Sequence, residues 1–291
     1  MPKDHYVSQT FMKFWSRRNH QGDFDGFVSC FDFTTNTLEE EIHTKKLFAI
    51  KGLNSATVEK RLDQVFENQL RRFIDFANAE HTPEAFQGRG RKVLMEDENP
   101  VRAISIAFAI QAARAVDGTS GKVGVETAKL LSLSDKQLHV LGASFREHHD
   151  VSTLTLRRDE PLFLPETGCF WFPILDPAPL VGAIWALAIP LTPFLALVAT
   201  PRGIDVDVER ATAHLSQFSI ADAKVKRVII PRVSKSEDRS QLTQYLLGRR
   251  QQVMEQGLAI ALVGMASAER RAAAGLPPLL NPRAWKYFLS R

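Results

Sequence analysis

Cysteine is nearly absent from this chain of 291 residues, with Cys30 and Cys169 the only two. Two thiols build neither a disulfide framework nor a four-cysteine zinc site, so both are expected reduced, in a cytoplasmic protein. Several catalytic signatures are missing as well. No Gly-x-Ser-x-Gly, His-Glu-x-x-His or paired Cys-x-x-Cys occurs, which weighs against three common enzyme classes. Gly118-Thr119-Ser120-Gly121-Lys122 resembles a phosphate loop only superficially. Too few residues separate Gly118 from Gly121-Lys122, and Val123 stands where the hydroxyl residue belongs, so the segment reads as a turn. The opening Met-Pro-Lys-Asp-His lacks the apolar run and cleavage site of a signal peptide. Internal repeats and long low-complexity tracts are absent too.

Charge of one sign does not dominate. The net charge of +4 allows an RNA or DNA partner without requiring one, since solubility alone favours a charge away from zero. One segment, Ala178 to Thr200, has no charged residue and is long enough to cross a bilayer. Pro190 and Pro193 would each break a spanning helix there. Two buried strands, Ile184 to Ile189 and Phe194 to Ala199, joined through Pro190-Leu191-Thr192-Pro193, fit better. No membrane partner is expected.

Periodicity sketches the remaining elements. Phe24 to Phe33 reads as a strand ending in the turn-prone Asp32 to Thr37, and Thr44 to Ile50 as a further extended piece. A helix starts near Asn54-Ser55, carries Val58, Leu62, Val65, Phe66, Leu70, Phe73 and Ile74 at helical spacing, and ends before His81-Thr82-Pro83. Gly88 to Lys92 reads as a basic loop. Helices follow from Asn99-Pro100 to Asp117-Gly118, from Val123 to Leu133, and from Asp135 to His148. Val151 to Leu156 alternates as a half-buried strand should. Val225 to Ile230 adds another strand, and Val206 to Phe218 and Gln241 to Leu262 read as helices. A terminal cluster, Trp285, Tyr287 and Phe288, could dock on the body. The expected fold is α+β and predominantly α, a helical first half packed with a β-containing second half. It is expected to form a single compact domain over 1–291, with a possible subdivision at 1–150 and 151–291.

The opening His5-Tyr6-Val7-Ser8, followed by the aromatic-rich Phe11 to Trp15, resembles the bacterial family catalogued as domain of unknown function 4238. Members open His-Tyr-Val-Pro, and Ser8 stands in place of the proline. Thr44 to Ala49 is similar to that family's segment before its first long helix, and Glu59 and Glu67 fall where that helix carries acids. Gln111 and Arg114 resemble a Gln-x-x-Arg helix ending. Asp159 to Leu162 resembles a Ser-Asp-x-Pro-Val strand, with Arg158 replacing serine, and Pro190 to Pro193 resembles a Pro-Leu-Ser-Pro turn. The resemblance covers most of the first two hundred residues and implies no established reaction.

Two readings of the polar residues stay open. In the first, His5, Glu67 and Asp159, assisted by Arg114, cleave phosphodiesters. Glu59, Asp63 and Glu67, at i, i+4 and i+8, would present carboxylate oxygens to Mg²⁺. His5 would serve as general acid or base, and Arg114 would neutralise developing phosphoryl charge. Arg89, Arg91 and Lys92, with Lys224, Lys226, Arg227 and Arg232, would steer a nucleic acid to them. In the second, the same residues form a structural polar network that fixes the amino terminus on the first helix. The protein is then a binding or regulatory module. His148-His149 reads as a solvated helix end rather than a metal site.

Overall fold

Local sequence signals decide most elements of the computed structural model, which describes residues 3–16, 23–80, 90–93, 104–120, 125–157, 160–174, 185–220, 225–231 and 241–255. Strand β1 (Lys3–His5) is followed by the short helix α1 (Gln9–Lys13), whose N-cap is Ser8, the Oγ accepting from the Thr10 N–H at 3.1 Å. Strands β2 (Phe27–Asp32) and β3 (Thr37–His43) form a hairpin. Asp32 Oδ1 accepts from the Thr34 N–H at 2.7 Å, and Asn36 takes a left-handed φ of 54°, so the expected turn chemistry closes the hairpin. Thr44 to Lys46 is a tight 3₁₀ turn, a correction to the extended reading, and strand β4 (Ala49–Lys51) pairs antiparallel with β1.

The long helix begins as expected. Ser55 caps α2 (Ala56–Leu62), and α3 (Asn68–Glu80) carries the axis on. Between them Asp63–Glu67 forms a π turn, in which the Asn68 N–H reaches the Asp63 carbonyl five residues back. Strand β5 (Gly90–Val93) follows, so part of the expected basic loop is an edge strand. Helix α4 (Ile104–Ser120) runs past the expected stop at Asp117-Gly118. Helices α5 (Val125–Leu131) and α6 (Asp135–His148) follow, α6 behind a Ser134–Gln137 capping box.

The remaining strands are β6 (His149–Thr155), β7 (Leu164–Pro165), β8 (Phe170–Pro173), β9 (Trp185–Thr192), β10 (Leu195–Pro201) and β11 (Arg227–Ile230). Helix α7 (Val208–Phe218), capped by Asp207, lies before β11, and a last described helix, α8, covers 241–255. The aromatic cluster at 285–288 lies outside the described residues.

The described part of the uncharged segment, 185–200, folds as two strands. β9 and β10 pair antiparallel in a five-stranded sheet of order β5-β6-β10-β9-β8. Pro190 is placed beyond the reach of β8, opposite the bulge at Leu195/Ala196, where its missing N–H is tolerated. Among the described residues no helix is long and apolar enough to cross a membrane. β6 is buried over Val151 to Thr155, not half-buried: both of its faces are covered, Ser152, Thr153 and Thr155 along with the apolar residues.

The α+β class is as expected, but the division into a helical first half and a β-containing second half is not. Helices and strands interleave throughout the described residues. A four-stranded sheet of order β3-β2-β11-β7 joins the first hairpin to a strand almost two hundred residues later. Propensity sees each strand but not its distant partner, so the sheets were invisible locally. One hydrophobic cluster draws on Phe11, Phe66 and Phe108 as well as Phe172, Leu197 and Leu215, on both sides of residue 150.

Candidate functional site

Helix α4 organises the site. Gln111 and Arg114, three residues apart, sit on one face and reach successive carbonyls of the opening segment. Gln111 Nε2 donates to Tyr6 O at 3.3 Å and to Thr167 O at 2.9 Å, while Arg114 Nη2 donates to His5 O. Arg114 Nη1 donates to Glu67 Oε1 at 2.7 Å. The other Glu67 oxygen accepts from Ser8 Oγ. Ser8 therefore ties the start of α1 to the π turn, a role proline could not fill. The Arg114 side chain is 3% exposed and its guanidinium lies 5.4 Å from the Phe66 ring centre. Arg114 Nε and Gln111 Oε1 are buried without a hydrogen-bond partner.

The His5 ring is turned away from Glu67. Its Nε2 lies 3.2 Å from Thr44 O, and Gln9 Nε2 lies 3.0 Å from its Nδ1. A carbonyl only accepts and an amide NH₂ only donates, so these partners assign the proton to Nε2. Burial lowers the His5 pKa, the Arg114 charge lowers it further, and the Thr44 carbonyl acts in the opposite sense. The ring is neutral at neutral pH. Among the described residues the His5 ring bonds Thr44 and Gln9 and no carboxylate.

Next to this clasp an open cleft of about 340 Å³ is lined by His5, Gln9, Glu59, Asp63, Glu67 and Arg71, with Arg114 at its wall. A neighbouring cleft of about 320 Å³ shares Thr10 and Arg71 and continues over Lys13, Phe14, Phe24 and Asp75. Asp63 and Arg71 are both exposed. The π turn sets Asn68 beside Glu67 on this face, and Asn68 Nδ2 donates to Asp63 Oδ2 at 3.2 Å.

Of the sequence candidates, His5, Glu67 and Arg114 converge, and Glu59 and Asp63 line the same cleft. The proposed Mg²⁺ trio is not assembled: among the described residues no three of His, Cys, Asp and Glu could together hold a metal ion. Asn54 Nδ2 donates to Glu59 Oε1, Asn68 to Asp63, and Arg114 and Ser8 to Glu67, so the carboxylates diverge to separate partners. Asp159, Arg89, Lys224 and Arg232 lie outside the described residues. Arg91 and Lys92 stand on edge strand β5, and Lys226 is exposed beside β11.

Arg227 does not belong to a free basic surface. Its Nε lies 3.4 Å from Glu166 Oε2, its Nη2 donates to Tyr6 Oη at 3.2 Å, and its guanidinium lies 5.3 Å from the Phe48 ring centre. Burial and the Glu166 charge push the Tyr6 phenol up to about 12. Burial lifts the Cys30 thiol to about 12 as well, so it is no nucleophile near neutral pH. His148 and His149 hydrogen-bond carbonyls of their own helix, at Ser144 and Phe145, and His149 stacks on Phe145 at 4.5 Å.

Sequence reasoning missed Ser8 as a Glu67 ligand, Gln9 on His5, and Arg71 in the cleft. Gln111 was legible only through the family-like spacing to Arg114. No family model, curated protein or solved structure matches this chain.

Proposed function

We propose that this protein is a non-catalytic binding module. His5, Ser8, Glu67, Gln111 and Arg114 latch the amino-terminal strand onto α2–α3 and α4, and the adjoining polar cleft receives the ligand. One observation carries this reading: both Glu67 oxygens and the Arg114 fork are spent on partners within the protein. Each oxygen keeps a second lone pair, but these bonds anchor the carboxylate to the amino-terminal segment and to α4, which is the work of a latch. Cys30 and Cys169 are both buried as thiols rather than joined in a disulfide, which supports a reducing compartment and a cytoplasmic location. The resemblance of the opening segment to domain of unknown function 4238 adds no reaction to this reading.

The second reading, phosphodiester cleavage on RNA or DNA, is favoured by the meeting of His5, Glu67 and Arg114 at a cleft open to water. Neutral His5 would accept a proton at Nδ1 once Gln9 swings aside. Mg²⁺, if used, would need Glu59 or Asp63 to leave its asparagine partner.

The test incubates single- and double-stranded RNA and DNA with the wild-type protein in the presence of Mg²⁺ or Mn²⁺, alongside Glu67→Gln. Intact nucleic acid together with a lower melting temperature for Glu67→Gln supports the module. Cleavage by the wild type, abolished in a Glu67→Gln protein that melts normally, would overturn it.

A further inference from the structure

The cleft beside the latch carries two charges of opposite sign that the fold leaves unneutralised. Asp63, on the π turn, has the Asn68 amide as its partner, and that amide brings no charge. Arg71, on α3, has no ion-pair or hydrogen-bond partner among the described residues. Both are exposed and both line the same cavity. They stand eight residues apart along one helical axis, at most about 12 Å at 1.5 Å per residue because the π turn between them rises less. Glu67 is neutralised by the buried Arg114, and Glu59, farther along the cleft, accepts from the Asn54 amide.

A polyanion suits this surface poorly. Asp23, Glu59, Asp63, Glu67 and Asp75 outnumber Lys13, Arg71 and Arg114 around the two clefts, and like charge repels a phosphate chain. A simple cation would leave Arg71 unanswered, and a simple anion would leave Asp63 unanswered. A ligand bearing both charges satisfies each wall, with a guanidinium fork suited to a carboxylate and a carboxylate suited to an ammonium. Gln9, Thr10 and Asn68 supply neutral donors and acceptors along the way.

On these grounds, and resting on the binding-module reading, we propose that the cleft binds a small linear zwitterion, its ammonium on Asp63 and its carboxylate on Arg71. The separation of the two residues selects an extended amino acid over a compact one.

Isothermal titration of the full chain with 6-aminohexanoate tests the proposal, with hexanoate, hexylamine and glycine as the other arms. Loss of one charge-assisted contact is expected to weaken binding about tenfold, so hexanoate and hexylamine bind less tightly by that factor. Asp63→Asn and Arg71→Gln each weaken 6-aminohexanoate similarly while leaving the melting temperature unchanged, because both side chains are exposed. Absence of saturable binding, equal binding of a singly charged arm, or unaltered binding in both variants overturns the proposal. Such a failure leaves the nucleic-acid result untouched, so loss of the ligand class and loss of the module reading are separately visible.

Discussion

Glu67 connects two parts of the chain that are distant in sequence, accepting from Ser8 on one oxygen and from Arg114 on the other. Glu67→Gln keeps the shape and removes the charge, leaving the Arg114 guanidinium buried without a counterion. Breaking one side of a buried pair costs about 3–5 kcal/mol, and the partial exposure of Glu67 reduces that to about 2–4 kcal/mol, readable in a urea titration. His5 adds a pH dependence of known sign. Burial holds its folded pKa below the ordinary 6.5, and burial does the same for His149. Between the folded and unfolded values the unfolded chain binds more protons, so stability rises with pH there. The contribution is complete above the unfolded pKa and is lost as pH falls through the folded one. Melting temperatures followed downward from neutral pH should therefore drop, and the drop should be shallower in His5→Gln, where the Thr44 and Gln9 bonds no longer hold a titratable ring.

Elements meet here through close approach rather than through long ladders. β1 pairs only three residues with β4, so its position depends on α4 behind it. At Gly118 a Cβ would lie 2.3 Å from the Tyr6 ring, closer than any side-chain contact tolerates. Tyr6 is buried and its hydroxyl is held by Arg227, so it has little room to retreat. Gly118→Ala is expected to cost about 1–3 kcal/mol by overpacking, even though alanine is the better helix former. Equilibrium unfolding would show this as a lower midpoint with an unchanged slope. The π turn is the other device at this scale. Its extra residue brings Glu67 and Asn68 together onto the cleft while Phe66 and Leu70 still point into the core.

At the level of the whole molecule the segment from Tyr6 to Trp15 supplies part of the core. Tyr6, Val7, Phe11, Met12 and Trp15 are all buried, and Trp15 Nε1 donates to Leu162 O at 3.0 Å. Leu162 in turn donates its N–H to Pro193 O, at the turn between β9 and β10. Removing residues 1–16 would strip the cover from α3, α4 and the five-stranded sheet at once. We expect the shortened protein to lose its near-ultraviolet circular dichroism and its cooperative thermal transition. A transition close to that of the full chain would show that the amino-terminal segment is an appendage.

Sequence alone determined what depends on neighbours along the chain. Ser55 and Ser134 as caps, the Asp32 to Thr37 turn, and the two apolar strands flanking Pro193 follow from side-chain oxygens, turn residues and β-branched runs acting locally. His5, Glu67 and Arg114 could be singled out as a set, but not which atoms of His5 take part: Arg114 holds its carbonyl, and the imidazole faces Thr44. The tertiary structure decided that, together with the pairing of β2 with β11, the π turn, the pairing of Arg227 with the buried Glu166, and the dispersal of Glu59, Asp63 and Glu67 to separate partners. Each depends on groups far away in the chain, and a guanidinium or carboxylate reads the same in sequence whether it ends in water or against a buried partner.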